Sequence, residues 1–453
     1  MKQIKEVSRV VPVMAETDVL VIGSGPAGLA AALSAAREGV STMLVERYGC
    51  FGGVLTQVGV GSMSWYRHEG TTDVEGIGIE FERRAVELSN AWYEPMHPRV
   101  TLIQPDLFKV VADRMIQEAS IVPLLHCLAV ETLMDGNTIN GIITESKSGR
   151  QAILARRVID ATGDADIAHL SGAPIHKTPV DEMMGVTVMF SCSNVEKARF
   201  YDYLKENPKT YKDWSDNWAM ETSGKEDDMP TYFLDEPFKR AREDGLIPKD
   251  MKSIAGSVGL VTDTGENLGM NLIYMFGYDC TDVWDLTKAE IEGRHQAMLA
   301  IEALRRYTPG FENAYLRTFG MTLGTRDSRK IIGRTSLTGH DVRNQAKFED
   351  SIGIFPEFID GHRLLILPTT GRYFQVPYGV IVPQNIDNLL VAGRCTSGDQ
   401  ISHGAMRNMM ACVVTGQGAG VAAALSLKDG VTTAAVDISR VQSALKKQGV
   451  RIH

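Results

Sequence analysis

Two kinds of residue in this chain are spaced for chemistry on a charged organic molecule: glycines that can cradle phosphate, and arginines that can clamp a carboxylate. The glycines lie in Gly23-Ser24-Gly25-Pro26-Ala27-Gly28, and Glu46 follows 18 positions after the third. Gly23 permits a tight turn, Gly25 lets the backbone approach a pyrophosphate, and Gly28 lets the next helix lie against the strand before it. Glu46 stands where a ribose diol would donate hydrogen bonds. Arg326, Arg372, Arg407 and Arg67 carry planar forks that match a carboxylate bidentately, as does Arg329. Arg326-Asp327 with Arg329 also reads as an internal ion-pair network, and that reading is the stronger of the two.

The elements that must position these groups follow from the flanking pattern. Val19–Ile22 is a short β-branched run of the kind that forms a buried strand, Leu29–Glu38 is an Ala/Leu-rich helix, and Ser41–Val45 is a second strand. Strand, glycine turn, helix, strand and acid together predict a dinucleotide site. An α/β turn that uses glycine only for its geometry is the plainer alternative. The Asp164-Ala165-Asp166 run offers two carboxylates to a metal, but capping and dipole stabilisation of a helix start explain it better. Ten scattered histidines give no metal-ligand spacing, so no metal is expected.

Downstream, Ile77–Asn90 and Gln104–Glu118 show helical spacing. Val122–Cys127, Leu128–Met134, Ile139–Ser146 and Gln151–Ala155 read as strands joined by hairpin turns, a small antiparallel excursion that returns into Arg157–Asp164. The loop Trp65–Glu69 carries aromatic and basic groups suited to a ligand, or to an ordinary surface loop with a packed tryptophan. Ser193–Lys252 is rich in charge and aromatics. Thr287 and Glu290 form a Thr-x-x-Glu capping box for a helix running to Tyr307. Asn388–Gly393 is a buried strand, and Ala405–Leu427 a long helix whose Gly416, Gly418 and Gly420 permit close packing. Because Gly416–Gly420 lies inside a helical pattern, it is not a second dinucleotide turn.

At 453 residues the chain exceeds one ordinary core. The expected fold is α/β: a Rossmann-like domain (parallel sheet with helices and a small antiparallel insertion) plus an α+β substrate or cap domain. The expected divisions are 1–174, 175–345 and 346–453, the last returning to the first domain. A net charge of −9 argues against nucleic acid as a partner. No window of eighteen uninterrupted apolar residues occurs, so no membrane span is expected, and a cytoplasmic location is the default. The six cysteines form no CxxC pair and are read as reduced packing residues.

Three separated segments, Gly23–Gly53, Val158–Asp164 and Asn388–Gly420, together resemble the FAD-dependent oxidoreductases of the glutathione-reductase-like fold. Within that group the chain is similar to the family called FAD-dependent oxidoreductase, through Glu46–Gly53, Leu323–Arg329, Val376-Pro377-Tyr378, Val391–Arg394 and Ser402–Arg407. The resemblance implies FAD as cofactor, with Gly23, Gly25, Pro26, Ala27 and Gly28 on the pyrophosphate. Glu46 would hold the adenosine ribose, Arg47 and Ala129 the adenine, and Gly52, Gly53 and Thr56 the ribityl or ring end. Ala161-Thr162-Gly163 would close over the cofactor, and Gly393 and Asp399 would meet its pyrophosphate and ribityl hydroxyls. The helix starting at Ala405 and Met406 would aim its dipole at the N1/O2 edge of the ring.

No cysteine pair follows Gly52-Gly53, so a dithiol relay is not expected. The resemblance implies oxidation or desaturation of a small organic substrate, for example a carboxylate or cyclic keto or hydroxy compound, by hydride transfer to flavin N5. The electron acceptor, oxygen or another, stays open, as does homo-oligomerisation. His403 is the first choice for a base, Tyr378 for orienting substrate or donating a proton, and Arg407 joins them. Arg67, Arg326 and Arg372 are the substrate candidates. Two alternatives stand beside this: an NAD(P)H-dependent reductase of an activated alkene, and a non-catalytic or RNA-modification-associated flavoprotein.

Overall fold

The computed structural model describes the chain except residues 1–2, 5–6, 69–70, 90–99, 207, 214–217, 223, 225–226, 229–230 and 368–370; side chains at 67–68, 71–72, 89, 100–101 and 213 are likewise outside the description. The first strand, β1 (Val13–Ile22), leads through the glycine turn into α1 (Pro26–Arg37) and then β2 (Thr42–Val45). The excursion follows as β3 (Val122–Leu124), β4 (Leu128–Asp135), β5 (Thr138–Ser146) and β6 (Gly149–Asp160). Their order across the sheet is β3-β2-β1-β6-β5-β4. The β3, β2, β1 and β6 pairings are parallel, whereas β5 runs antiparallel to its neighbours.

Strand β6 does two jobs along its length. Its first half pairs with β5, and its last three residues pair in parallel with the late strand Leu389–Val391. Register then brings four parallel strands to a level end: Ile22 lies opposite Val45 and Asp160, and Asp160 opposite Val391. The C-terminal segment thus completes the N-terminal sheet. Alternation along β1 sends Val19 and Val21 into one core, and Leu20 and Ile22 into the core on the other face.

A short helix, α2 (Asp166–Leu170), follows β6. The chain then builds a second, five-stranded sheet from β7 (Phe190–Ser193), β8 (Phe233–Leu234), β9 (Ile254–Ser257), β10 (Asn267–Ile273) and β11 (Tyr315–Phe319), in the order β8-β9-β10-β7-β11. The long helix α3 (Val283–Tyr307) packs on it, and their shared core draws on residues from Val186 to Leu323. This helix starts a turn before the expected capping box. Asp282 caps it by accepting from the Trp284 and Asp285 N–H groups, while the Thr287 hydroxyl donates to the Val283 carbonyl inside the helix.

The expected single helix from Ala405 is two helices, α4 (Gln400–Met406) and α5 (Met409–Lys428), broken at Arg407-Asn408. Helix α5 is long and apolar enough to cross a membrane by length and composition, yet its hydrophobic stretch is wholly buried against α1 and the sheet. A Cβ on Gly416 would overlap the Ala27 carbonyl oxygen, and one on Gly420 the Ala31 carbonyl oxygen. The two helices touch backbone to backbone, and alanine at either position would cost about 1–3 kcal/mol in overpacking.

Candidate active site

A cavity of about 1690 Å³ opens at the level ends of the four parallel strands and extends along the second sheet. Its first wall is backbone. Gly23 has φ +91° and is pressed against the Ala161 carbonyl, and a Cβ on Gly28 would overlap the Gly23 carbonyl oxygen. A Cβ on Gly25, by contrast, would meet nothing within 4 Å. Gly23 and Gly28 are thus crowded by backbone and Gly25 faces open space, with Gly28 behind the wall rather than in it. Pro26, Ala27 and Gly53 continue the lining, as do Ala161, Thr162, Gly163 and Gly393.

Glu46 is buried at the edge of this wall and accepts from the Ser24 N–H at 3.0 Å, the Ser24 hydroxyl at 2.6 Å and the Tyr48 N–H at 2.9 Å. Those bonds fix the carboxylate between the glycine turn and β2 and leave one acceptor position, on Oε1, for a ribose hydroxyl. Arg47 lies over the Tyr48 ring at 4.9 Å, and Ala129 on β4 lines the same end.

Three acids hold the turn after β6: Asp160 behind the wall, and Asp164 and Asp166 in it. Asp160 is fully buried and accepts from the Thr162 N–H and hydroxyl and the Ala168 N–H. Burial raises its pKa, and these donors work against that rise. Asp164 does not cap α2. It accepts from the Ser328 hydroxyl at 2.5 Å and pairs with Arg394 at 2.9 Å. Asp166 pairs with Arg329, so Arg329 has the internal ion-pair role anticipated for it. Burial, with Asp164 and Asp160 close by, pushes Asp166 up to about 6. Arg394 was missed among the sequence candidates although it ends the quoted Val391–Arg394 motif. It lines the cavity, and its Nη1 is buried without a hydrogen-bond partner.

At the other end of the cavity the N-terminus of α5 faces inward, with Asn408, Met409 and Cys412 in the wall. No side chain caps this helix; Asn408 instead donates to the Gly404 and Ala405 carbonyls. Ala405 and Met406, expected at the helix start, are buried in α4 and do not line the cavity. The free N–H groups and positive dipole end belong to the turn starting at Met409, one turn later than expected.

Side chains make the facing wall. Arg326 donates to the Gly185 carbonyl at 2.8 Å and to Asn271 Oδ1 at 3.2 Å, and its guanidinium lies 4.6 Å from the Tyr274 ring centroid. Among the described residues it makes no ion pair with a carboxylate, so its charge rests on neutral acceptors and an aromatic face. Burial lowers its pKa, with the Tyr274, Arg407 and Asp360 charges all felt at the site. Arg407 pairs with Asp360 Oδ2 at 2.9 Å, and Arg363 lies 5.7 Å from the Phe276 ring. All of these residues except Gly185 line the cavity.

Other expected site residues sit elsewhere. His403 is buried within α4, outside the lining, with Nε2 2.9 Å from the Arg326 carbonyl oxygen, an acceptor that places the ring proton on Nε2. Burial and the Lys330 charge hold its pKa well below the ordinary value, so the ring is neutral. Beside it, Asp327 and Lys330 form a buried ion pair at 2.6 Å, joined by the Thr178 hydroxyl at 3.0 Å from Asp327. Burial alone would raise Asp327; the Lys330 charge and the Lys330 and Thr178 hydrogen bonds bring it below the usual range. Arg326 and Asp327 are therefore separated in function: one faces the cavity and the other anchors the strand beneath it.

Tyr378 is buried and donates to the Thr433 carbonyl at 2.7 Å; burial raises its pKa, and it does not line the cavity. Asp399 caps α4 through the Ser402 N–H at 2.8 Å and accepts from the Gly339 N–H, which uses both oxygens. Gly52, with φ +116°, packs on Thr56, whose hydroxyl donates to the Phe51 carbonyl, so both lie behind Gly53. Arg372 pairs with Glu357 and donates to the Arg343 carbonyl, away from the lining. The Arg67 side chain lies outside the described residues. Among the described residues no group of three or more His, Cys, Asp or Glu is placed to hold a metal ion.

The level strand ends, the glycine turn and the open cavity above them define a dinucleotide-binding α/β protein of the Rossmann type. Residues 18–445 match the family model described as FAD dependent oxidoreductase, and the chain belongs to that family. FAD is its cofactor, and the wall fits one: Gly25 presents bare backbone to the cavity, and the unpartnered Arg394 Nη1 suits an anionic group. Among solved structures, the chain is similar to a geranylgeranyl bacteriochlorophyll reductase-like protein from Thermoplasma acidophilum, with 14% identity, 96% of this chain and 82% of that one covered, and a TM-score of 0.51. It is also similar to p-nitrophenol 4-monooxygenase from Pseudomonas putida DLL-E4, with 11% identity, 96% and 85% coverage and a TM-score of 0.48. The first of these likenesses, at 14% identity, shows the fold alone.

Proposed function

We propose that the protein oxidises or desaturates a small organic carboxylate, with FAD as the electron acceptor. The observation that carries this reading is Arg326: a cation in the wall of the cofactor cavity, held by two neutral acceptors and Tyr274, with no carboxylate of its own. A half-buried guanidinium in that state is stabilised by an arriving carboxylate, which it can grip through two parallel hydrogen bonds. Bound FAD supplies a two-electron acceptor for hydride at its N5. Gly23, Gly25, Arg394 and the α5 N-terminus hold the cofactor in this reading, and Glu46 holds its ribose.

The chain's own groups divide the remaining work. Arg326 fixes the carboxylate, Asn271 and Tyr274 fix Arg326, and the aromatic wall of Trp218, Phe276 and Phe358 excludes water from the reacting carbon. Asp360, set by Arg407 in the same wall, takes the proton that accompanies hydride loss. His403 orients the Arg326 backbone from behind.

Anaerobic titration of the purified protein tests the proposal. Bleaching of the flavin absorbance by a hydroxy, amino or cyclic keto acid, and not by the corresponding amide, is the expected result. Bleaching by NADH alone, with no response to any carboxylate, would overturn it in favour of a reductase. The final electron acceptor is left to the same preparation: oxygen uptake during turnover marks an oxidase.

A further inference from the structure

Helix α3 buries one face in the second core and leaves a long seam bare. Trp284 is 73% exposed, Ile291 62% and Met298 48%, three apolar residues at seven-residue spacing. Lys288, His295 and Glu302 interleave with them, so the bare face reads Trp284, Lys288, Ile291, His295, Met298, Glu302 in alternating steps of four and three. That is the spacing of a helix seam made to meet another helix, and a soluble surface rarely leaves such a stripe uncovered. Met321, 51% exposed, runs beside it, because Thr322 and Leu323 both donate to Glu290 on the same helix.

The charges on the seam say what covers it. The first half of the helix region, 282–292, holds four acids to one lysine, and the second half, 294–306, three arginines to one glutamate. Laid antiparallel on a second copy of itself, with the two-fold axis at His295, the helix places Lys288 against Glu302 of the other copy and Asp285 against Arg305. Both contacts occur twice by symmetry. The same register sets Ile291 beside Met298 and puts Trp284 against Arg305 and Arg306, a cation over an aromatic face. The charge order also suits the helix's own dipole, so the apolar repeat argues for a contact and the interleaved charges fix its direction. A parallel pairing would instead set Lys288 on Lys288 and Glu302 on Glu302.

We infer that the chain forms a two-fold symmetric homodimer through Val283–Tyr307, paired antiparallel about His295. Val283, Leu286, Thr287 and Glu290 of the same helix line the cofactor cavity, so the partner helix lies along the outside of that wall.

Sedimentation equilibrium of the full-length, FAD-loaded protein reads the mass directly. The expected result is twice the chain mass at micromolar concentration, and one chain mass for Ile291→Asp with its flavin spectrum unchanged. Lys288→Glu and Glu302→Lys should each weaken the dimer about tenfold, and the combined variant should restore it. Because all six native cysteines are buried, His295→Cys would add an exposed thiol at the axis. Mild oxidation should then give a disulfide-linked dimer that the unmodified chain does not give. A monomer at tens of micromolar would overturn the inference. So would a dimer that survives Ile291→Asp, or a combined charge swap that fails to rescue.

Discussion

The two walls of the cofactor cavity are built from different material. The strand-end wall is mostly backbone: Gly23, Gly25, Gly53 and Gly163 sit where a Cβ would either collide or project into the cavity. The facing wall is mostly side chain: Arg326, Tyr274, Asn271, Asp360 and Arg407 arrive from four separated stretches of sequence. A backbone wall recognises what does not vary, a phosphate and a ribose. A side-chain wall can be rewritten residue by residue without touching the cofactor, so specificity belongs there.

The largest effect should come from breaking the backbone wall. Gly23→Ala asks an L-residue to hold φ +91° while its Cβ meets the Ala161 carbonyl. We expect FAD affinity to fall at least roughly a hundredfold, about 3 kcal/mol. Flavin content of the purified protein and calorimetric titration of the flavin-free form measure it. Retention of a full complement of FAD would mean the turn can re-form without its glycine.

On the side-chain wall the effect should fall on turnover and leave the flavin in place. Arg326→Leu should lower kcat/KM for a carboxylate by roughly thirty- to a hundredfold, about 2–3 kcal/mol, with FAD content unchanged. Arg326→Lys keeps the charge and loses the fork, and should lose roughly tenfold. If both variants turn over normally, the arginine is structural and the comparison between the walls fails. Equal losses of FAD and activity would fail it differently, by showing that one group serves both walls.

Much of the first wall was legible in the sequence because its signals are local. A strand, a glycine at each of three spacings and an acid at the end of the next strand identify one another without any distant contact. The late strand Leu389–Val391 was legible for the same reason, as an apolar run ending at Gly393. The break between α4 and α5 was not. Ala405, Met406 and Arg407 are good helix formers, and no proline marks the boundary; the break coincides with Arg407 turning to Asp360, a contact across 47 residues. Reading one helix there placed His403 near the cofactor, whereas the second helix carries the cavity-facing terminus. Tyr274 and Asp360 gave no local signal at all, since an aromatic just past a strand end and an aspartate within the short strand Ile359–Gly361 take their roles from what they face.

A smaller effect separates a site residue from a residue that only resembles one. Tyr378→Phe removes a buried hydroxyl that donates to the Thr433 carbonyl. The expected cost is about 1–2 kcal/mol of stability, read as a lower denaturation midpoint, with kcat and KM unmoved. A drop in kcat at unchanged stability would return Tyr378 to the chemistry and move the active wall with it.

The smallest effect concerns a charge at the rim of the backbone wall, where Asp166 lines the cavity. Asp166 titrates near 6, pushed up by burial and then by Asp164 and Asp160, against the pull of Arg329. The folded state therefore holds this proton more tightly than the unfolded chain, whose carboxyl titrates near 3.9. Between those two values the folded form binds more protons, so stability falls as pH rises and levels off above about 6. The side chain is about a third exposed, so solvent screens part of this and the shift in Tm should be of the order of a degree. In flavin-free protein, the Tm of the natural chain relative to Asp166→Asn should decline from pH 4 to 6 and then hold constant. A rise over that range would mean that the Arg329 pair outweighs burial. The wall behind the glycines would then be held by charge as well as by backbone, narrowing the contrast between the two faces of the cavity.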